Sequence, residues 1–202
     1  MYLTWLADAR LYEVLAGIDA DLADTARRAG CRLCAGVLHS ARFPRKPRGA
    51  PGELPAGSDR RHSFCCAADG CRTRRTPPSV RLLGRKVYLG AVVVLATALR
   101  HGPTRMRAAR LRQLLGVDAR TLERWRHWWR RTFAESPWWT AMRGRVAPPV
   151  PAATLPGALL ERVAGAGSAP RVGLLRFVAP ITTSSDGAGL FEGRRRPAED
   201  AR

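Results

Sequence analysis

The chain has 202 residues, 46% of them hydrophobic, so it can bury a core as one ordinary domain or two small ones, and global disorder is excluded. Its 35 Lys and Arg outnumber 16 Asp and Glu, and the net charge of +19 indicates a polyanionic partner. The longest apolar run, Val87 to Leu99, has 13 residues, whereas a bilayer span needs about 20, so no membrane association is predicted.

The positive charge is concentrated in the middle of the chain. Between Arg72 and Val146 there are 18 Lys and Arg against three acids, a net +15 out of the total +19. Lys46 and Lys86 are the two lysines. Biased codon usage also favours Arg over Lys, but it does not create a surplus of charge. The distribution therefore favours a nucleic acid as the partner.

Residues 1–30 are predicted to form an N-terminal helical segment. Its apolar positions recur at helical spacing, namely Leu11, Leu15, Ile18 and Leu22. Gly30 is expected to end the helix just before the first cysteine. Three acids, Asp19, Asp21 and Asp24, predict a solvated acidic face, and packing against the basic remainder of the chain is the alternative.

Residues 31–80 are predicted to form a zinc-ribbon-like module of short β-structure. The segments Val37–Phe43 and His62–Cys66 are its predicted strands. The stretch Pro44–Arg61 between them is rich in Pro, Gly and Arg without apolar periodicity, which predicts an exposed loop.

Four cysteines in two pairs are the candidate metal ligands, namely Cys31, Cys34, Cys66 and Cys71. Zinc prefers four tetrahedral sulfur or nitrogen ligands, and structural sites often join two such pairs. Metal binding contributes folding free energy directly, which explains how a module with few large apolar side chains can fold. We therefore predict a closed structural Zn²⁺ site, and four unrelated buried thiols are the alternative.

Three other residues compete for this site. Cys65 precedes Cys66 and is a rival ligand, while His39 and His62 are substitutes that more often serve as non-ligands. The N-terminal sequence lacks a secretory pattern, which favours reduced thiols and a cytoplasmic, nucleoid-associated location. A zinc hydrolase or deaminase needs an open ligand position and a neighbouring base, and no His-x-Glu precedes the cysteines.

Residues 84–134 are predicted to be a helical domain with a helix-turn-helix core. A first helix is expected from Gly84 or Arg85 to about Arg100. Thr104 is a suitable N-cap for a second helix, Arg105–Leu115, and Asp118 for a third, from Ala119 to about Phe133.

The turn between the second and third helices centres on Gly116. A helix-turn-helix needs a flexible residue there, and Leu115 and Val117 flank it as predicted core contacts.

The predicted third helix has two contrasting faces. One is apolar and consists of Leu122, Trp125, Trp129 and Phe133; the other carries Arg120, Arg124, His127 and Arg131 at spacing i, i+4, i+7 and i+11. A cationic line along a helix suits the DNA major groove. We expect Arg120 and Arg124 to reach base edges and Arg130 and Arg131 to contact phosphate, whereas a solvated face is the alternative.

The remaining residues are less informative. Trp128, Trp138 and Trp139 are expected to pack or to form an oligomer contact, with stacking on unpaired bases as the alternative. Residues 135–182 are predicted to be a Pro- and Ala-rich extension, partly packed through Leu174–Val178, with a short helix near Leu159–Ala164. Residues 183–202 predict a disordered tail.

The predicted fold class is α+β, mainly α with a small β zinc ribbon. This order of parts resembles the N-terminal region of bacterial insertion-sequence DDE transposases, in which a zinc ribbon precedes a buried helix and a helix-turn-helix. The matching residues are the four cysteines, Thr76–Tyr88 and Leu114–Trp125, within a region that covers about half the chain.

Two departures limit what the resemblance implies. Arg112 stands where such helix-turn-helix motifs often carry a small Ala. Those transposases cut DNA with three carboxylates in an RNase H-like domain, whereas residues 134–202 hold few acids and no adequate strand pattern. The resemblance therefore implies binding of element-end DNA or a linked regulatory role, with a transposase or recombinase as a candidate partner, and no catalysis.

The function expected from the sequence is sequence-specific binding of double-stranded DNA, as a mobile-element accessory or a transposase-like fragment. Oligomers are compatible with it. A transcriptional regulator reading symmetric half-sites and an RNA-binding zinc protein are the alternatives within the binding class. A metal-dependent nuclease that uses scattered carboxylates is the alternative from another class, although no enzyme activity is expected.

Overall fold

The computed structural model describes residues 6–45, 47–49, 52, 54–82, 104–163 and 170–182. These residues form a mixed α+β structure in which helices predominate, and two small antiparallel sheets come between the first helix and the later ones along the chain. The predicted helix from Gly84 to Arg100 and the predicted tail at 183–202 lie outside the described residues. Over the ranges that are described, no helix combines the length and apolar character that crossing a membrane requires.

The α-helices are α1 (Ala9–Arg28), α2 (Arg105–Leu115), α3 (Ala119–Trp128), α4 (Pro137–Met142), α5 (Gly157–Val163) and α6 (Pro170–Val178). α3 continues as a π-helix over Trp129–Phe133, and 3₁₀ turns follow at Arg143–Arg145, Ala152–Thr154 and Ala179–Thr182. The strands are β1 (Leu38–Ser40), β2 (Phe43–Pro44), β3 (Arg60–Arg61), β4 (Phe64–Cys66) and β5 (Arg74–Arg75).

Helix α1 joins the two hydrophobic clusters of the described structure. Asp8 caps its N-terminus by accepting a hydrogen bond from the Arg10 N–H, and the helix ends before Gly30, as predicted. Its first half packs in the main core through Leu11, Tyr12, Leu15 and Ile18. Its second half packs against the β-structure through Ala23 and Ala26.

The prediction of a solvated acidic face on α1 is wrong for Asp19. Asp21 and Asp24 are exposed, but Asp19 is only 2% exposed. Its carboxylate accepts hydrogen bonds from the Ser79 hydroxyl (2.6 Å), the Val80 N–H (2.7 Å) and the Arg81 guanidinium (2.9 Å). Burial is possible because each carboxylate oxygen is paired with a donor.

The β-structure forms two small antiparallel sheets. In the first the strand order is β1-β4-β5, and in the second β2 pairs with β3. The single strand predicted over Val37–Phe43 is therefore wrong: β1 and β2 belong to different sheets and are separated by Ala41 and Arg42. The predicted loop Pro44–Arg61 is also shorter than expected, since both of its ends pair in the second sheet.

Helices α2 and α3 follow their predicted bounds and caps. Thr104 accepts from the Arg107 N–H at 3.3 Å, and Asp118 accepts from the Thr121 N–H at 2.6 Å. Gly116 has φ of 62°, and its N–H donates to the Arg112 carbonyl, so it closes α2 in the left-handed conformation. The apolar side chains on both sides of this turn, Leu111, Leu115, Val117 and Leu122, are buried in the main core.

The chain continues beyond α3 as a π-helix that carries part of an aromatic cluster. Trp128, Trp129 and Phe133 are all buried, with ring centroids 4.8 to 5.5 Å apart. Trp139 is buried as well, and the half-buried Trp138 meets Phe177 edge-on at 4.9 Å. These tryptophans therefore pack inside the fold, as the packing interpretation expected.

The segment after Phe133 packs back on the helical core. Ser136 ends the π-helix region and also caps α4, since its hydroxyl accepts from the Trp139 N–H. Helices α5 and α6 contribute buried apolar residues to the main core, namely Leu159, Leu160, Leu174, Leu175 and Val178. The partial packing predicted for Leu174–Val178 is confirmed, and the short helix predicted near Leu159 begins earlier, at Gly157.

Candidate metal centre and nucleic-acid interface

Four thiols converge at one point between α1 and the first sheet. The Sγ atoms of Cys31, Cys34, Cys66 and Cys71 all lie within 4.8 Å of one another. The Cys31 and Cys71 sulfurs are 3.7 Å apart, and the Cys34 and Cys66 sulfurs 3.4 Å. These separations exceed the disulfide bond of about 2.05 Å. The cluster can hold a metal ion.

The first pair of cysteines lies on a tight turn that two glycines make possible. Gly30 has φ of 68°, and a Cβ placed on it would lie 2.9 Å from the Ala35 carbonyl oxygen. The turn is closed by hydrogen bonds from the Cys31 N–H to the Gly36 carbonyl and from the Ala35 N–H to the Cys31 carbonyl. A Cβ on Gly36 would lie 3.2 Å from the Sγ of both Cys34 and Cys66, so glycine keeps space free between the two pairs.

The second pair spans the turn between β4 and β5. Cys66 ends β4, and its N–H donates to the Thr73 carbonyl across the turn. Gly70 turns the chain with φ of 81°, and the Cys71 N–H donates to the Ala68 carbonyl. The four residues between Cys66 and Cys71 are accommodated by this turn, which returns Cys71 to the same cluster as Cys66.

Strand alternation separates Cys65 from Cys66. Successive side chains of a strand point to opposite faces, so only one of the two thiols can face the cluster. Cys66 is fully buried, whereas Cys65 donates through its Sγ to the Arg72 carbonyl at 3.4 Å. His39 is exposed and His62 half-buried, and neither belongs to the group of potential ligands within the described residues.

The surroundings shift the thiol pKa values in different directions. Hydrogen bonds from the backbone N–H groups of Cys34 and Leu33 lower the pKa of Cys31. Hydrogen bonds from Thr73, through its side chain and backbone, lower the pKa of Cys71 to about 6. A hydrogen bond from the Ala68 N–H acts to lower the pKa of Cys66. Burial and hydrogen bonds with the other three thiols outweigh it, so the pKa of Cys66 rises to about 12. The lowered pKa values of Cys31 and Cys71 favour the thiolate, the form that binds metals.

The predicted cationic line of α3 is exposed to solvent. Arg120, Arg124, His127 and Arg131 are all exposed, while the opposite face of Leu122, Trp125, Trp129 and Phe133 is buried. The Arg124 guanidinium donates to the Thr121 hydroxyl at 2.9 Å, and Arg131 lies 3.9 Å from Glu135 in an exposed pair. Such an exposed pair contributes little, so Arg131 can readily exchange Glu135 for another anion.

Arg130 differs from the other predicted contacts. It is half-buried and does not share the exposed line of Arg120, Arg124 and Arg131. Its neighbour one turn earlier, Arg126, is half-buried too, and burial, followed by repulsion from Arg130, lowers the pKa of Arg126. The exposed basic residues of the predicted set are therefore Arg120, Arg124, His127 and Arg131.

Several buried polar residues were not predicted. Arg81 connects Asp19 to the loop before β3 by donating to the carbonyls of Arg60 (3.0 Å) and Gly57 (3.4 Å). Arg61, only 6% exposed, donates to the Pro77 carbonyl at 2.9 Å, and burial lowers its pKa to about 10. One sequence feature indicated that Asp19 is buried: it lies four residues after Leu15, on the apolar face of α1.

No protein-family model matches this sequence, and comparisons with curated proteins and with solved structures also find no match.

Proposed function

We propose that this chain binds double-stranded DNA through the exposed cationic face of α3, and that a structural zinc ion held by Cys31, Cys34, Cys66 and Cys71 stabilises the module beside it. The observation that carries the proposal is the division of this helix: three arginines and His127 on its exposed face and a buried aromatic and aliphatic face opposite. An amphipathic helix of this kind is fixed in the fold while it presents arginines outward.

The connection between α2 and α3 supports a helix-turn-helix. The two helices are joined by Gly116, Val117 and Asp118, of which the first is left-handed, the second buried and the third an N-cap. Arg120 and Arg124 lie near the N-terminal end of α3 and are exposed. In helix-turn-helix proteins the N-terminal residues of the second helix contact base edges.

The geometry of the cysteine cluster fits zinc. Four sulfurs bound at about 2.3 Å in a tetrahedron are separated by about 3.8 Å, close to the 3.4 and 3.7 Å of the two thiol pairs. All four positions would be filled by protein sulfur, which suits a structural ion and leaves no open position for a reacting water. When bound, such an ion contributes folding free energy and fixes the two turns relative to each other.

The biological setting follows from the resemblance to the N-terminal region of insertion-sequence transposases. We propose a nucleoid-associated mobile-element accessory, or a transposase-like fragment, that binds element ends without cutting them. A transcriptional regulator would bind symmetric half-sites instead. Selection of bound sequences from a random duplex library distinguishes the two, because a palindromic consensus favours a regulator and an asymmetric one favours the element-end role.

The binding test uses the zinc-loaded full chain and the selected duplex in fluorescence anisotropy. Replacing Arg120 and Arg124 with Ala should raise Kd at least tenfold, since each good base contact contributes about 1–3 kcal/mol. The same variant should relax base preference in a repeat of the selection. The matched control, Arg27→Ala with Arg28→Ala, removes the same charge from the exposed last turn of α1. Equal affinity of wild type and the α3 variant would contradict the proposal.

A further inference from the structure

The first sheet has an outer face that takes no part in the metal cluster. Cross-strand partners in an antiparallel sheet lie on the same face, and His39 pairs with Cys65, which pairs in turn with Arg74. Val37 lies two positions before His39 and is 68% exposed. Arg72 lies in the turn before β5, is exposed, and its backbone carbonyl accepts from the Cys65 thiol. We name this set, Val37, His39, Cys65, Arg72 and Arg74, the outer sheet face.

Residues on the opposite face of the sheet are buried or form hydrogen bonds within the fold. Leu38, Phe64 and Cys66 are buried in the small core beneath the sheet. Arg75, the cross-strand partner of Phe64, donates to the carbonyls of Ala26 (2.9 Å) and Gly30 (2.6 Å) at the end of α1. The two adjacent arginines of β5 therefore differ: Arg75 donates hydrogen bonds to the end of α1, whereas Arg74 lies on the outer sheet face.

The cations of the outer sheet face have no internal counterions among the described residues. Arg72 and Arg74 are exposed, and neither guanidinium forms a hydrogen bond or ion pair with the part of the chain that the structure describes. Asp69, in the turn of the second cysteine pair, is the acid nearest in sequence and makes no ion pair with them over the same residues. The fold therefore holds unneutralised positive charge on a rigid sheet fixed to the cysteine cluster.

We propose that the outer sheet face is a second DNA contact, which binds the phosphate backbone of the same duplex that α3 reads. The inference rests on the proposed function. A guanidinium binds phosphate through paired N–H donors, and two such groups beside a histidine match a polyanion better than an acidic peptide segment. Arg74 lies on the edge strand β5 and Arg72 in the turn that leads to it, so the positive charge of the face is concentrated at this edge of the sheet.

The first test is the salt dependence of duplex binding by the zinc-loaded full chain. Replacing Arg72 and Arg74 with Ala should reduce the slope of log K against log salt by about 2 and weaken binding at low salt on the order of tenfold. Base preference in the selected sites should stay unchanged, because phosphate contacts carry no sequence information. The control Arg27→Ala with Arg28→Ala removes the same charge and should leave the slope unchanged. Circular dichroism and zinc content verify that the variants are folded.

The second test uses Cys65 as a reporter at the centre of the face. When zinc is bound, the four clustered thiols are its ligands, so a maleimide should modify only Cys65. The variant Cys65→Ser, which lacks this thiol, gives the background modification. Saturating duplex should abolish this modification, as followed by mass spectrometry. Modification at the same rate with and without duplex, together with an unchanged salt slope, would overturn the inference.

The outcomes separate this inference from the proposed function. If wild type binds duplex and the Arg120 and Arg124 variant does not, while the Arg72 and Arg74 variant keeps full affinity and slope, only the second contact is wrong. If wild type shows no duplex binding, both fail. If the Arg72 and Arg74 variant loses affinity for structured RNA but not for duplex DNA, the outer sheet face binds RNA and the inference is overturned.

Discussion

Asp19 and Arg81 form a buried ion pair that joins the N-terminal helix to the segment after the cysteine module. The Asp19 Oδ2 and Arg81 Nε atoms are 2.9 Å apart, with side chains 2% and 5% exposed. Ser79 and Val80 donate to the same carboxylate, and Arg81 also binds the carbonyls of Arg60 and Gly57. The pair thus fixes the β-structure and α1 to each other.

Replacing Asp19 with Asn should destabilise the protein by about 3–5 kcal/mol, because the buried Arg81 charge loses its carboxylate partner. Urea unfolding of the zinc-loaded protein measures the loss. Asp21→Asn, an exposed acid on the same helix, should stay within about 0.5 kcal/mol of wild type. The double variant Asp19→Leu with Arg81→Met should lose less than the sum of the single changes. Coincident unfolding curves for Asp19→Asn and wild type would contradict the role of the pair.

Metal analysis of the freshly reduced chain should find about one zinc per molecule, bound by the four clustered thiols. Cys34→Ser should lose most of it, because a hydroxyl replaces one of four thiolate ligands. Cys65→Ser is the matched control and should retain zinc, since the Cys65 sulfur binds the Arg72 carbonyl outside the cluster. Elemental analysis after dialysis gives the ratio, and a value near zero for wild type would refute a resident metal.

Replacing Gly36 with Ala should weaken zinc binding by roughly tenfold, as changes beside a ligand shell often do. A Cβ there would lie 3.2 Å from the Sγ of both Cys34 and Cys66, so the two turns must shift apart by a few tenths of an ångström. Competition with a chromophoric chelator measures the affinity. Gly17→Ala, where the added Cβ meets nothing within 4 Å, should leave zinc affinity unchanged. Unaltered affinity in Gly36→Ala would mean that the cluster tolerates the methyl group.

Replacing Gly116 with Ala should cost about 1 kcal/mol, because only the backbone conformation opposes it. Its φ is 62°, while the added Cβ meets nothing within 4 Å. Gly116→Asn should cost less, since Asn tolerates the left-handed region better. Gly144→Ala, with open space and no positive φ, is the control. The denaturant midpoints of the three variants test these expectations. If Gly116→Ala has the same stability as wild type, the turn has another backbone conformation.

Replacing Asp118 with Ala should destabilise the protein at neutral pH through loss of the α3 cap. Hydrogen bonding from Thr121 lowers the pKa of Asp118 below its usual value of 3.8. A group with a lowered folded-state pKa stabilises the protein above the unfolded-state pKa, and this contribution disappears as the pH falls through the lowered value. The stability difference between wild type and variant should therefore be constant at neutral pH and shrink only in acid below pH 3.8. A difference that vanished already near neutrality would contradict the assignment.

The features that sequence reasoning predicted correctly are encoded locally. Thr104 and Asp118 cap helices through residues three positions later, and strand alternation selects Cys66 over Cys65 within two residues. The features it missed depend on partners far away. Asp19 meets Arg81 across 62 positions, so its place on the apolar face of α1 indicates burial but does not reveal its partner.

The short strands were also beyond local prediction. β2, β3 and β5 have two residues each, too few for a period of two to be visible. The predicted strand Val37–Phe43 was wrong because its two halves pair with different partners, β4 and β3. The π-helix after α3 was not predicted either, because the helical spacing of Trp125, Trp129 and Phe133 does not distinguish it from a continued α-helix.

The Arg75 guanidinium, which donates to the Ala26 and Gly30 carbonyls, has a consequence for the order of events during synthesis. The last turn of α1 leaves the ribosome well before residue 75 does, and until then these carbonyls bond to water. These two hydrogen bonds therefore require β5 to have been translated and positioned. The helix made first receives a C-terminal partner from a residue 49 positions after Ala26.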